Sequence, residues 1–180
     1  MANTRDTLGE AETYKRLVER TITEYIDDTL TSNIKKRAFE GCTVLTHVEL
    51  PNITRLDKGY EFFRCTALEE ISLPKVTSIE AVIGGSYNSR AFQRCSSLRT
   101  IKLPKVTNIN QTAFYNCDAI EVMYIGTETT RVAYFTAQES LPATLQAIYV
   151  PDDLVNSYKA DTYWSRVATF IFPVSQSPDA

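Results

Sequence analysis

The 180-residue sequence lacks the features by which several large classes of protein are recognised. No run approaches the roughly 20 apolar residues that a transmembrane helix needs. The segment Met1–Asp6 has no apolar stretch of the kind found in a secretory signal peptide. The net charge of −3 is mild and is not gathered into blocks, whereas nucleic-acid binding needs clustered Lys and Arg. The densest basic run, Lys35-Lys36-Arg37, is interpreted as a solvated turn. The sequence therefore predicts no membrane insertion and no nucleic-acid partner.

Groups that could perform chemistry are equally scarce. The single histidine, His47, falls in a predicted strand on its outward side, and no nucleophile is placed to pair with it. Adjacent carboxylates such as Glu69 and Glu70 point to opposite sides of a strand. The pair Gly84-Gly85 is not followed by the Lys-Thr of a phosphate-binding loop. We therefore predict a protein that is not an enzyme, with no catalytic residues and no cofactor.

What the sequence does contain is a repeat. The first copy reads Ala38-Phe39-x-x-Cys42-x-x-Leu45-x-x-Val48-x-Leu50-Pro51, and it returns from Phe62, from Ala91-Phe92 and, in weakened form, from Ala113-Phe114. A fifth strand pattern runs from Leu145 to Pro151. A near-constant period of this size indicates a solenoid whose coils bury one another's apolar edges.

Each copy predicts one short strand and one tight turn. The segment L-x-x-I-x-L places alternate apolar residues on one side of a strand, and the following proline ends that strand because it cannot donate to a ladder. The segment A-F-x-x-C is too short for a helix and predicts a single turn. The phenylalanines of successive coils, Phe39, Phe62, Phe92 and Phe114, are expected to stack into a spine.

The four cysteines occur once per coil, with spacings of 23, 30 and 22 residues. A zinc site needs ligands that converge on one point, but a ladder spreads them along an axis. Equivalent Cβ atoms of adjacent coils lie about 4.8 Å apart, farther than an unstrained disulfide allows. We interpret Cys42, Cys65, Cys95 and Cys117 as buried thiols with no metal.

Three regions follow from these patterns. Residues 1–33 are predicted to form an N-terminal cap with a helix over 6–20 and a strand over 21–26. Residues 34–151 form a solenoid of about five coils. Residues 152–180 form a C-terminal cap, in which Asp152-Asp153 begins a helix as its N-cap, and a frayed tail over 175–180.

The repeat unit A-F-x-x-C-x-x-L-x-x-I-x-L-P-x-V-T resembles the BspA-like, treponemal-type leucine-rich repeat over roughly Ile34 to Pro151. The ending Ile148-Tyr149-Val150-Pro151-Asp152 resembles the usual ending of such proteins. The resemblance implies a β-rich α/β repeat solenoid, a right-handed coil with one parallel sheet and helical caps at both ends. It also implies no cofactor and a role in adhesion or recognition at bacterial, protozoan or phage surfaces.

The outward strand positions supply the candidate binding face. They form two rows, of which the second half gathers Val122, Tyr124, Ala147 and Tyr149 into an apolar patch beside Lys102. Exposed aromatic clusters tend to mark recognition surfaces. The alternative is that residues 126–144, where the repeat degrades, fold over the patch and make it part of the core.

A second candidate is the longer connection over residues 80–90, which carries Tyr87, Asn88 and Arg90. Insertions in repeat proteins map to loops that are often functional. Surface loops also tolerate insertion at little cost, so the segment could equally be without a role.

The function that these observations favour is a non-enzymatic module for recognition of a protein or glycan, or for adhesion, at a bacterial cell surface. The alternative is a structural component of a phage tail or another surface assembly, whose partners would be virion or assembly proteins. Both favour a location outside the cell, at a cell surface or on a virion, and the sequence itself leaves the localisation unknown.

Overall fold

The computed structural model describes residues 23–31, 34–80, 89–110, 112–135 and 142–180, and the backbone alone at 82–83 and 86–87. Within these ranges the chain is a β-rich solenoid of stacked coils with parallel sheets. The helix predicted over 6–20 lies outside the described residues. No helix in the described ranges has the length and hydrophobicity that crossing a bilayer requires.

The first strand of each coil pairs with its equivalents to form what we call the main sheet. In the described part of the chain it has seven strands, and every neighbouring pair is parallel. In spatial order these are β1 (Glu24–Ile26), β2 (His47–Glu49), β4 (Glu70–Ser72), β8 (Thr100–Leu103), β10 (Val122–Ile125), β12 (Ala147–Val150) and β13 (Ile171–Pro173).

A second parallel sheet follows the turns that end the strands of the main sheet, which contain proline in three of the four coils, so the prediction of one sheet was wrong. In each coil this sheet has a two-residue strand, whose second residue points inward and is buried. The stacked coils bring the backbone N–H and C=O groups of these short strands into register. Segments of two residues are too short to show alternation in sequence. The strands are β3 (Arg55–Leu56), β5 (Ser78–Ile79), β9 (Asn108–Ile109) and β11 (Tyr134–Phe135).

The predicted phenylalanine spine is confirmed. Ring centroids lie 5.0 Å apart between Phe39 and Phe62, 5.3 Å between Phe62 and Phe92, and 5.4 Å between Phe92 and Phe114, with the rings within 8° of parallel. All four cysteines are buried, and none of them forms a disulfide bond. Among the described residues no group of three His, Cys, Asp or Glu side chains is placed to hold a metal ion.

The insertion over 80–90 was expected to be a protruding loop, but its described residues include two strands. It contains an antiparallel hairpin of β6 (Val82–Ile83) and β7 (Ser86–Tyr87). The side chain of Tyr87 and the whole of Asn88 lie outside the described residues.

After the last full coil the chain forms short helices and then β13. Helix α1 (Val155–Ala160) lies between two 3₁₀ segments, Asp152–Leu154 and Trp164–Phe170, and a third, Val174–Gln176, follows β13. The expectation that Asp152 caps the helix was wrong: its Oδ1 accepts a hydrogen bond from the Ser175 N–H at 3.0 Å. Asp152 therefore ties the C-terminal segment to the end of the solenoid.

The aromatic side chains of this region complete the core of the last coil. Tyr158 and Trp164 are fully buried. The Trp164 Nε1–H donates to the Ala133 carbonyl at 2.7 Å, and the Ala133 N–H donates to the Tyr158 hydroxyl at 2.9 Å. The C-terminal region thus supplies polar partners for a backbone segment that would otherwise be buried without them.

Candidate binding face of the main sheet

The outward side chains of the main sheet stand in two rows that the strand register defines. In one row, His47, Glu70, Thr100, Val122 and Ala147 are successive register partners. In the other, which we call the second row, the partners are Glu49, Ser72, Lys102, Tyr124, Tyr149 and Phe172. Because side chains alternate along a strand, the sequence pattern was sufficient to predict which residues share each row.

The N-terminal half of this face is polar. The His47 Nε2 lies 3.2 Å from the Glu49 Oε1, and the Lys102 Nζ lies 3.7 Å from the Glu70 Oε1. These groups are all partly exposed, so their contacts contribute little to the free energy of unfolding. They make this half of the face charged and polar.

The C-terminal half is aromatic. The rings of Tyr124 and Tyr149 lie 5.1 Å apart, those of Tyr149 and Phe172 lie 6.4 Å apart, and the Lys102 ammonium lies 5.7 Å from the centre of the Tyr124 ring. Phe172 was missed by the sequence analysis because the repeat signature ends at Pro151. The short run Ile171-Phe172-Pro173, β-branched and aromatic and ended by proline, was the available signal.

The C-terminal segment 174–180 packs against this aromatic half. The Asp179 Oδ2 lies 3.0 Å from the Lys102 Nζ, and Ser177 is buried. The expectation of a frayed tail was therefore wrong, because Asp179 pairs with Lys102 and Ser177 hydrogen-bonds with Tyr124. Tyr124 and Ala147 are buried, at 9% and 8% exposure, whereas Val122 and Tyr149 are half-buried.

The segment 126–144, which the sequence suggested as a cover for the patch, approaches it only in part. Thr127, Thr129 and Thr130 line a cleft together with Tyr124, and the next described residues turn away from the main sheet. Tyr134–Phe135 of the segment 126–144 forms a strand of the second sheet, and the Phe135 ring packs 4.8 Å from the Trp164 ring. The patch is thus neither fully open nor part of the core, and the segment beside it is the C-terminal one.

The ionisable groups at this contact affect one another. Hydrogen bonding to Asp179 raises the pKa of Lys102, and the Lys102 ammonium holds the pKa of Asp179 below its usual value. Burial, and then hydrogen bonding to Asp179, raise the pKa of the Tyr124 phenol. At neutral pH the phenol is therefore protonated and the Lys102–Asp179 pair is charged.

Two clefts flank the C-terminal segment, which presents alternate residues to each. The larger, of about 700 Å³, is lined by Lys102, Tyr124, Thr127, Asp153 and Ser175 among others. The smaller, of about 460 Å³, is lined by Val122, Tyr149, Phe172, Gln176 and others. The larger has a volume typical of ligand sites and combines apolar walls with a few convergent polar groups.

The second predicted site lies on a different side of the coil. Arg90 is half-buried and its guanidinium lies 5.7 Å from the centre of the Tyr60 ring, on the turn that precedes Ala91 rather than on the main sheet. The structure thus brings Lys102, Tyr124 and Tyr149 together and leaves Arg90 apart from them.

Comparison with known proteins identifies the family. No curated protein matches the sequence. A matching solved structure is that of a leucine rich cell surface protein from Faecalibacterium prausnitzii A2-165, with 23% identity and a TM-score of 0.48. The match covers 72% of this chain and 38% of that protein, so the chain spans well under half the length of its solved relative.

The sequence model of the BspA type leucine rich repeat region matches residues 19–141 and 85–156, with six copies of the repeat. These matches include the Phe, Cys and Leu positions that form the stacked core described above. The chain therefore belongs to the BspA type leucine-rich repeat family.

Proposed function

We propose that this chain is a non-enzymatic recognition module that binds a protein or a glycan at a bacterial cell surface through the aromatic half of the main sheet. The observation that carries the proposal is the row of Tyr124, Tyr149 and Phe172. Tyr124 lines the cleft of about 700 Å³, and the other two rings line the cleft of about 460 Å³. Membership of a repeat family whose members typically act as binding modules supports it.

Aromatic side chains suit this role for a physical reason. A tyrosine buries a large area on binding while it loses only two rotatable torsions, so it contributes much affinity for little ordering entropy. Tyr149 is half-buried, and Phe172 is 36% exposed, so both retain area that a partner could cover.

The polar lining of the larger cleft suits a ligand that is rich in hydroxyl or amide groups. Thr127, Thr130 and Asp153 line it together with Tyr124. A sugar or peptide donates to carboxylate oxygens, exchanges hydrogen bonds with hydroxyls and packs an apolar surface on the aromatic ring.

The proposal is tested with fluorescently labelled full-length protein on a panel of intact bacterial and epithelial cells. We expect saturable binding to some of them, which Tyr149→Ala and Phe172→Ala reduce by about tenfold or more, since hot-spot truncations cost at least about 2 kcal/mol. Tyr134→Ala is the matched control, because Tyr134 is 57% exposed on the second sheet.

Circular dichroism and thermal melting would establish that each variant is folded. Unchanged binding of the two face variants, or no binding of the folded native protein to any cell type, would contradict the proposal.

Truncation of the C-terminal segment provides an independent test of the proposal. Because residues 174–180 form one wall of the larger cleft, a chain that ends at Pro173 should bind more weakly than the full chain. Tighter binding after truncation would assign the segment to covering the aromatic row and would contradict its role in the site.

A further inference from the structure

Five large side chains stand at positions where the backbone adopts a left-handed conformation, and four of them are arginines. The φ angles lie between 46° and 63°. The residues are Arg37, Tyr60, Arg64, Arg90 and Arg94.

These residues occupy two positions of the repeat. Arg37, Tyr60 and Arg90 each stand two residues before the core phenylalanine of their coil. Arg64 and Arg94 stand immediately before the core cysteine, where the first and fourth described coils have Gly41 and Asn116, also with positive φ.

Glycine and asparagine adopt this conformation at the least cost, and the flanking coils use them. The fold therefore does not require arginine at this position, and the middle coils accept backbone strain to place it there. Strain that the fold does not need points to a function for the side chains.

The structure gathers the side chains of Arg37, Arg64 and Arg90 around two aromatic rings on the turn side of the coils. Arg94 occupies the position of Arg64 in the next coil, to which the Arg64 N–H is bonded through the Gln93 carbonyl. The ring of Tyr60 has the Arg37 guanidinium at 5.3 Å and the Arg90 guanidinium at 5.7 Å, one from each neighbouring coil. The Arg64 guanidinium lies 5.1 Å from the centre of the Phe63 ring, which packs edge-on against Tyr60 at 5.4 Å.

The aromatic rings thus hold the guanidinium groups of Arg37, Arg64 and Arg90 in place, because cation–π contacts favour these positions. A group that is held before a ligand arrives loses little entropy when it binds. Tyr60 and Phe63 act as positioning residues for the arginines.

Exposed basic side chains are concentrated here although the chain as a whole is acidic. Arg37 pairs with Glu40 at 3.2 Å, but no carboxylate of the described residues lies within ion-pairing distance of Arg64 or Arg94, both of which are exposed. Lys35 and Lys36, also exposed, adjoin Arg37. The sequence analysis treated this basic run as a solvated turn, because arginines from later coils are distant from it in sequence.

We propose that Arg37, Arg64, Arg90 and Arg94, here called the arginine cluster, bind an anionic polysaccharide through its carboxylate or sulfate groups. A guanidinium presents a planar fork of donors that matches these groups with two parallel hydrogen bonds. Arg64 and Arg94 occupy the same position of neighbouring coils, which are about 4.8 Å apart, so the two can contact successive charges of a polymer.

A polysaccharide fits better than a nucleic acid because of the state of the aromatic rings. Single-stranded nucleic acid binds proteins by stacking its bases on free aromatic faces, but the rings of Tyr60 and Phe63 already carry guanidinium groups.

The experiment compares binding of fluorescent heparin, hyaluronan and neutral dextran, and of a single-stranded DNA, to the full chain at physiological salt. Heparin carries sulfate and carboxylate groups and hyaluronan carries carboxylates alone, so the two distinguish the anionic group. The test variant is Arg64→Asn with Arg94→Asn, because Asn116 holds the same repeat position with φ of 58°.

This variant should fold at least as stably as the native protein, since asparagine adopts the required conformation more readily than arginine. The matched control is Arg99→Asn with Arg131→Asn, which removes the same charge from exposed residues outside the cluster. Removal of two charge-assisted contacts should weaken binding by about a hundredfold in the test variant and by less than about threefold in the control.

Binding of either acidic polysaccharide, lost in the test variant and retained in the control, supports the proposal. It is overturned if the folded native protein binds neither, if the test and control variants weaken binding equally, or if the DNA binds as tightly as the polysaccharide. Tyr149→Ala, which tests the proposed function of the main sheet, should leave this binding unchanged, so the two proposals fail separately.

Discussion

The thiol of Cys65 donates a hydrogen bond across the boundary between two coils to the carbonyl oxygen of Phe39, with the sulfur 2.9 Å from that oxygen. Cys95 makes the same bond to Phe62 at 3.1 Å, and Cys117 to Phe92 at 2.8 Å. Each carbonyl also accepts the backbone N–H of the cysteine in its own coil. The cysteine is thus a small apolar residue that still supplies a donor to a buried carbonyl with two lone pairs.

This arrangement predicts that the thiols are chemically protected. Burial raises the pKa of Cys95 well above its ordinary value, so at pH about 8 it remains a thiol, which is a poor nucleophile. We expect the folded protein not to react with Ellman's reagent over minutes, whereas the protein in concentrated urea should release the signal of all four cysteines. Reaction of the folded protein as fast as that of the unfolded chain would contradict the burial of the cysteines.

The phenylalanine spine predicts a large and position-specific loss of stability. Phe92 is stacked on both sides, so Phe92→Ala should lower the free energy of unfolding by about 3–5 kcal/mol, through the cavity and the lost ring contacts. Tyr134→Ala, on an exposed side chain, should change it by less than about 0.5 kcal/mol. Urea denaturation followed by circular dichroism measures both, and comparable losses would show that the spine is not the centre of the core.

Glu61 predicts a pH dependence whose sign is opposite to that of a typical acidic group. It is fully buried at the repeat position that Ala38, Ala91 and Ala113 occupy in other coils. Its Oε1 accepts the N–H groups of Lys58 and Gly59 at 2.8 Å, and its Oε2 has no partner among the described residues.

Burial raises the pKa of Glu61 above the usual 4.5, against the effect of these N–H groups. The folded protein therefore holds this proton more tightly than the unfolded chain does. The stability that Glu61 contributes is fully present below the unfolded pKa and is lost as the pH rises through the higher folded value.

Glu61→Gln keeps an acceptor for the two N–H groups but cannot ionise. Relative to the native protein, it should gain stability as the pH rises from about 4 to about 7. Carboxylates with lowered pKa, such as Asp27, affect both proteins equally and cancel in the difference. A difference that is constant with pH, measured by urea denaturation at both values, would rule out titration of Glu61 in the folded state.

Substitutions at two glycines with positive φ, Gly126 and Gly41, should differ in how much they lower the free energy of unfolding. A Cβ at Gly126, where φ is 58°, would lie 2.9 Å from the Thr129 Oγ1 and 3.0 Å from the Val106 carbonyl oxygen. Gly126→Ala should therefore lower the free energy of unfolding by about 2–4 kcal/mol.

Gly41→Asn is the matched control, since Asn116 occupies the equivalent position of a later coil, and it should cost less than about 1 kcal/mol. Thermal melting of both variants measures the contrast, and equal melting temperatures would show that space around Gly126 is not limiting.

The sequence by itself determined the solenoid, its phase and the composition of its outward rows. The positions of Phe39, Cys42 and Leu45 recur at fixed offsets in the following coils. Because the coils stack in register, the residues at equivalent positions contact one another. The alternation of a strand then assigns Tyr124 and Tyr149 to one row without any knowledge of tertiary structure.

Only the tertiary structure decided what lies around these rows. The packing of Asp179 against Lys102 and the gathering of Arg37, Arg64 and Arg90 around Tyr60 and Phe63 join residues that are far apart in the chain. Such contacts depend on how the coils stack and where the C-terminal segment turns back, and no local period records them. The repeat therefore predicts the scaffold, while the non-periodic contacts create the surfaces on which we base its function.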